Sequence, residues 1–89
     1  MSDDRPRGFQ FPGRFEIAAM GAADAGLERI VPEALTGAGL NVIPGSVRVR
    51  GSAGGRYVSV RVEFDAETRD HYEAAHHALR ARPEVKWTL

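Results

Sequence analysis

From Arg14 to Met20 the chain alternates, with Phe15, Ile17 and Ala19 separated by Arg14, Glu16 and Ala18. A period of two puts one set on each side of an extended backbone, so the segment predicts a half-buried strand. Gly21 is expected to break it, and Asp24 offers a side-chain oxygen to cap the helix that follows. There Leu27, Ile30, Val31, Ala34 and Leu35 recur at helical spacing and form one apolar stripe. Pro32 lies inside the stripe, where it removes a backbone donor and predicts a kink. Gly37 and Gly39 predict the helix end.

The second half repeats this switch of period. Val47 and Val49 alternate with Arg48 and Arg50; after a turn, Val58, Val60, Val62 and Phe64 alternate with Tyr57, Ser59, Arg61 and Glu63. This is a hairpin with one apolar side, and its connection, Gly51–Arg56, is too long for a two-residue turn. Asp65 or Thr68 can cap a second helix whose stripe is Tyr72, Ala75, His76 and Leu79 and whose end is set by Pro83. Glu84–Leu89 predicts a last strand with Val85, Trp87 and Leu89 on one face. The order is βαββαβ, the α+β ferredoxin-like two-layer sandwich, in which a four-stranded antiparallel sheet carries two helices on one face. Phe15, Ile17, Val58, Val60, Val62, Val85 and Trp87 are then expected beneath Leu27, Ile30, Val31, Leu35, Tyr72 and Leu79. Residues 1–8 have nothing apolar to bury and predict a solvated tail, leaving 9–89 as a single domain.

Three stretches in register resemble the YbeD-like family of small bacterial proteins. Phe11-Pro12 with Phe15 through Met20-Gly21 is similar to the family's start. Ser52-Ala-Gly-Gly55-Arg56-Tyr57-Val-Ser59-Val60 is similar to its Ser-Ser-x-Gly-Lys/Asn-Tyr-x-Ser-Val hairpin, departing from it at Ala53, and Arg82-Pro-Glu-Val-Lys86-Trp-Thr-Leu89 is similar to its His-Pro-Glu-Val-Lys-Met-Val-Leu ending. The resemblance implies a ferredoxin-like fold akin to the ACT domains that bind amino acids beside metabolic enzymes. It also implies a loose genomic association with lipoate attachment, and it brings no catalytic residues.

Charge changes the picture only locally. Twelve basic residues balance twelve acidic ones, so a nucleic-acid reader would need a concentrated patch. Strand parity supplies one candidate: Arg48, Arg50 and Arg61, with Tyr57 and Ser59, stand on the side that the helices leave open, and parity adds Arg14 and Lys86. An aromatic among cations can stack a base and hold phosphates. Here, however, the neighbouring stacking position is Ser59, the first strand offers only Glu16 and Ala18, and Glu16, Glu63 and Glu84 dilute the charge. The open face therefore predicts a docking surface for a protein partner or a second copy, with RNA binding as the alternative and nucleic acid not the expected partner.

Other chemistry has less to stand on. No cysteine is present, which removes thiolate metal sites and thiol nucleophiles. His71, His76 and His77 lack the i,i+4 spacing of a helical zinc pair, so no metal and no other cofactor is expected. The serines are placed on strands and loops, away from the helical histidines, which argues against a catalytic triad. The glycine-rich loop lacks the Walker spacing, and the glycine-valine-glutamine loop of the acylphosphatases, which share this topology, is absent. The expectation is no enzyme. One corner remains: Met20, Gly21 and Asp24, between the first strand and first helix, where unpaired helix N–H groups can hold a small anionic ligand. The N-terminus resembles neither a signal nor a transit peptide, and no window reaches the roughly 18 apolar residues of a membrane span, so a cytoplasmic regulatory module is predicted.

Overall fold

A computed structural model describes residues 11–52 and 54–88. The tail expected at 1–8, the start of the domain at Phe9, and the positions of Ala53 and Leu89 lie outside these residues. Seven elements follow one another: β1 (Gly13–Ala22), α1 (Leu27–Gly37), β2 (Asn41–Val42), β3 (Arg48–Gly51), β4 (Tyr57–Ala66), α2 (Arg69–Arg80) and β5 (Trp87–Thr88). All pairings are antiparallel: β1 lies between β4 and β5, and β4 takes β2 and β3 along its other edge. This is the ferredoxin-like two-layer α+β arrangement, with five strands where the periodicity predicts four.

The fifth strand comes from a break. β2 and β3 run along the same edge of β4, but five residues, 43–47, oppose only Val62 and Glu63. Pro44 has no N–H to give a ladder, and Gly45 turns the chain at φ 78°. Ser46 fills the gap. Its hydroxyl donates to Ile43 O at 2.7 Å and accepts from Glu63 N at 3.0 Å, while Ile43 N donates to Glu63 O at 2.9 Å.

The core lies between the sheet and the helices. Ile17, Leu27, Val31, Leu35, Val60, Val62, Phe64 and Leu79 are fully buried, and Tyr72, Val58 and Val85 pack against them at its margin. Both periodicities are thus realised where they were read. Phe11, Phe15, Phe64 and Tyr72 form an aromatic group at one end, with Phe15 and Tyr72 edge to face at 5.1 Å.

Three expectations are corrected, while Pro32 lies inside α1 as the apolar stripe requires. Gly21 does not end β1; it is buried inside the strand, where an added Cβ would strike the Glu84 carbonyl oxygen and the Leu27 side chain. Asp24 does not cap α1: Gly26, left-handed at φ 76°, occupies the N-cap with no side-chain bond. Trp87 is not under the helices but 54% exposed on the opposite side. Val85 belongs to a turn, its N–H bonded to Arg82 O, and the strand begins only where Trp87 pairs with Met20, so the alternation assumed from Val85 onward is reset. Of the two caps offered for α2, Thr68 is used, accepting from His71 N at 3.3 Å. No helix among the described residues is long and apolar enough to cross a membrane.

Candidate functional site: the open face of the sheet

Ladder register decides which side chains share the uncovered face. Glu63, Arg61, Ser59 and Tyr57 alternate with the buried residues of β4, and opposite them on β1 stand Glu16, Ala18, Met20 and Ala22. On β3, Arg48 pairs with Arg61 and Arg50 with Ser59. All five residues predicted for partner binding therefore lie together: Arg48, Arg50, Tyr57, Ser59 and Arg61. Arg14 joins them, opposite Asp65. Lys86 does not, because its neighbour Trp87 takes the open side beside Met20.

Arg48, Arg50 and Arg61 line a cleft of about 490 Å³ with Glu16, Val49 and Ser59. Arg61 Nη1 lies 3.7 Å from Glu16 Oε1, and Arg14 Nε lies 3.7 Å from Asp65 Oδ1. Both pairs are exposed and contribute only a few tenths of a kcal/mol, so they leave these side chains free to exchange partners. Arg48 Nη1 donates to Gly45 O at 3.2 Å. Among the described residues Arg50 has no ion pair and no side-chain hydrogen bond. Ala18, opposite Arg61, is only 4% exposed although no helix covers it, so the longer side chains of the face lie over it.

At the other end the face is apolar. Tyr57 and Trp87 meet edge to face with centroids 6.0 Å apart and are 40% and 54% exposed. Met20 stands beside both Ser59 and Trp87, and lines a hollow of about 180 Å³ with Arg50, Gly51, Ser52, Tyr57, Val58 and Ser59. Trp87 is the member of this group that sequence periodicity misplaced. The available signal was Pro83, whose turn uncouples the strand from the residues before it.

The hairpin loop holds this end in place. Ser52 N donates to Tyr57 O, the Ser52 hydroxyl accepts from Tyr57 N at 3.2 Å, and Gly54 and Gly55 take positive φ. Arg56 O accepts from Ala23 N at 2.9 Å, tying the loop to the β1–α1 connection.

The predicted ligand corner does not close into one pocket. Met20 and Gly21, adjacent in β1, point to opposite faces, and the space over Gly21 is taken by Glu84 and Leu27. Asp24 is exposed and bonds no helix N–H. The histidines sit on α2, in the helix layer. His71 Nδ1 accepts from Glu67 N, and His76 packs on Tyr72 at 5.1 Å with its pKa lowered, first by burial and then by Arg80. No group of residues able to hold a metal ion occurs among the described residues.

Residues 7–89 match the model of a family described as protein of unknown function (DUF493). A UPF0250 protein of Stenotrophomonas maltophilia is 52% identical over 88 residues, covering 99% of this chain and 96% of the relative. A UPF0250 protein of Xanthomonas oryzae pv. oryzae is 52% identical over 90 residues, 100% of this chain and 98% of the relative. One from Xylella fastidiosa is 47% identical over 88 residues, 99% and 96%.

Proposed function

We propose, from the premise that the chain belongs to the DUF493 family of YbeD-like small bacterial proteins, that it works by binding rather than catalysis, as a small regulatory module docking a protein partner on the open sheet face. The observation that carries this reading is the exposed Tyr57–Trp87 pair beside three arginines on a face without a helix. Tyrosine, tryptophan and arginine are the residue types in which interfaces concentrate their energy. The zero net charge of the chain favours selective docking over general adhesion, while the local excess of arginine favours a partner with an acidic rim. The family's loose genomic association with lipoate attachment makes the enzymes of that chemistry the first partners to try. An ACT-like site for a small anion at Met20, Gly21 and Asp24 has less support, since these residues do not converge.

The test is a pull-down with the wild type, Tyr57→Ala and Trp87→Ala, followed by titration of each against the purified protein identified. Loss of the same partner in both variants, with cooperative unfolding retained, supports the reading; retention in both overturns it.

Trp87 favours a second reading. One ground against RNA was that Tyr57 is the single aromatic expected outward, and among the described residues the face carries two. Two rings beside arginines suit stacked bases and phosphates. Salt-sensitive binding of single-stranded RNA, lost in Arg61→Ala and in Trp87→Ala alike, would select it.

A further inference from the structure

The site just described ends at an unfinished edge. Among the described residues β3 pairs only with β4, and all four of its residues are exposed. Ser52 N donates to Tyr57 O, and antiparallel bonded pairs recur at every second residue, so Arg48 and Arg50 bond toward β4. The N–H and C=O of Val49 and Gly51 therefore point outward, and among the described residues nothing takes them. Val49 is also 54% exposed on the side opposite the arginines. The cleft of about 490 Å³ includes this edge, with Arg48, Val49 and Arg50 all among its lining residues.

We infer that β3 accepts one further strand from an acidic, extended segment of a partner protein, whose sequence alternates carboxylate and apolar residues. A residue bonded to Val49 would set its side chain beside Val49, and its two neighbours would fall opposite Arg48 and Arg50, on the cleft side. An acidic–apolar–acidic triplet satisfies every position at once: main-chain bonds at Val49, apolar contact with the exposed Val49 side chain, and carboxylates on two guanidiniums. Arg50, without a partner of its own, gains most. A second copy of this chain fits badly. Antiparallel pairing of two β3 strands about Val49 sets Arg48 of each against Arg50 of the other, and like charges opposite one another destabilise a ladder. The competing role for these arginines is defence of the edge against any strand at all, a common use of charge on edge strands.

This inference rests on the open face as a docking surface, and the experiment separates the two. The full chain is titrated into labelled peptides of alternating glutamate and valine, alternating lysine and valine, and glutamate–valine N-methylated on its valines. The glutamate–valine peptide is expected to bind, with the other two weaker by at least about tenfold. Arg50→Glu should reverse the preference between the charged peptides, and circular dichroism should show this exposed variant folded. Arg29→Ala, in the helix layer, should leave peptide affinity within about twofold. No binding, equal binding of the N-methylated peptide, or indifference to Arg50→Glu overturns the inference and returns the arginines to edge defence. Tighter binding of oligouridylate than of the glutamate–valine peptide, lost in Arg50→Glu, overturns it in favour of a phosphate site, and self-association abolished by Arg50→Glu in favour of a second copy. If the peptide fails while Tyr57→Ala and Trp87→Ala still abolish a partner complex, the strand addition falls and the docking face stands.

Discussion

The environment of His76 moves its proton affinity. Burial against Tyr72, and secondarily Arg80, lowers its pKa from the ordinary value of 6.5. The folded state thus holds fewer protons than the unfolded state as pH falls past 6.5. The neutral ring contributes stability that is fully present above that pH and is lost as pH falls through the lower folded value. Urea midpoints measured between pH 7.5 and pH 5 should fall more steeply for the wild type than for His76→Gln, by a small margin because the ring is only partly buried. Equal slopes would show the shift to be inconsequential. Gly21 teaches a different lesson at this scale. A glycine after an alternating run reads as a breaker, but here it keeps the strand going where Glu84 crosses it. That contact comes from the far end of the chain, and no local pattern contains it.

Among the elements, the two helices and β4 were legible because each writes its period over ten or more residues. Leu27, Leu35, Val60 and Leu79 are buried as their spacing requires. The shared face of Arg48, Arg50, Tyr57, Ser59 and Arg61 was legible for the same reason, since parity alone placed them on one side. What escaped were the short strands. Two residues of β5 cannot display a period, so the face of Trp87 depends on pairing with Met20 rather than on sequence. Likewise the split between β2 and β3 depends on how Ser46 meets Glu63 across the ladder. Ser46→Ala should leave the Glu63 N–H without its acceptor in a half-buried setting, costing about 1–3 kcal/mol. Chemical denaturation should show a lower midpoint at unchanged m; an unchanged midpoint would mean that water replaces the hydroxyl.

At the scale of the whole molecule, a balanced charge count conceals a sorted surface: arginine on the bare face of the sheet, and a helix layer whose own ion pairs, Arg29 with Glu33 and Arg69 with Glu73, lie on the opposite side. Trp87, the chain's single tryptophan, reports on that bare face. Its fluorescence in the folded protein should be quenched by acrylamide nearly as efficiently as in urea, and partner binding should protect it. Strong protection in the free protein would mean that the ring lies under cover. The strand order has one more consequence, which concerns synthesis. β1 is made first, yet its two neighbours, β4 and β5, come from the second half of the chain, and β5 ends at Thr88. A nascent chain still anchored in the ribosome has its central strand and first helix in solution, with the apolar sides of Phe15, Ile17 and Leu27 unmatched. The β1–β4 ladder can form only once residue 66 has been added. Its closure is therefore a late, long-range step, and until then the apolar side of the first strand is open to other chains.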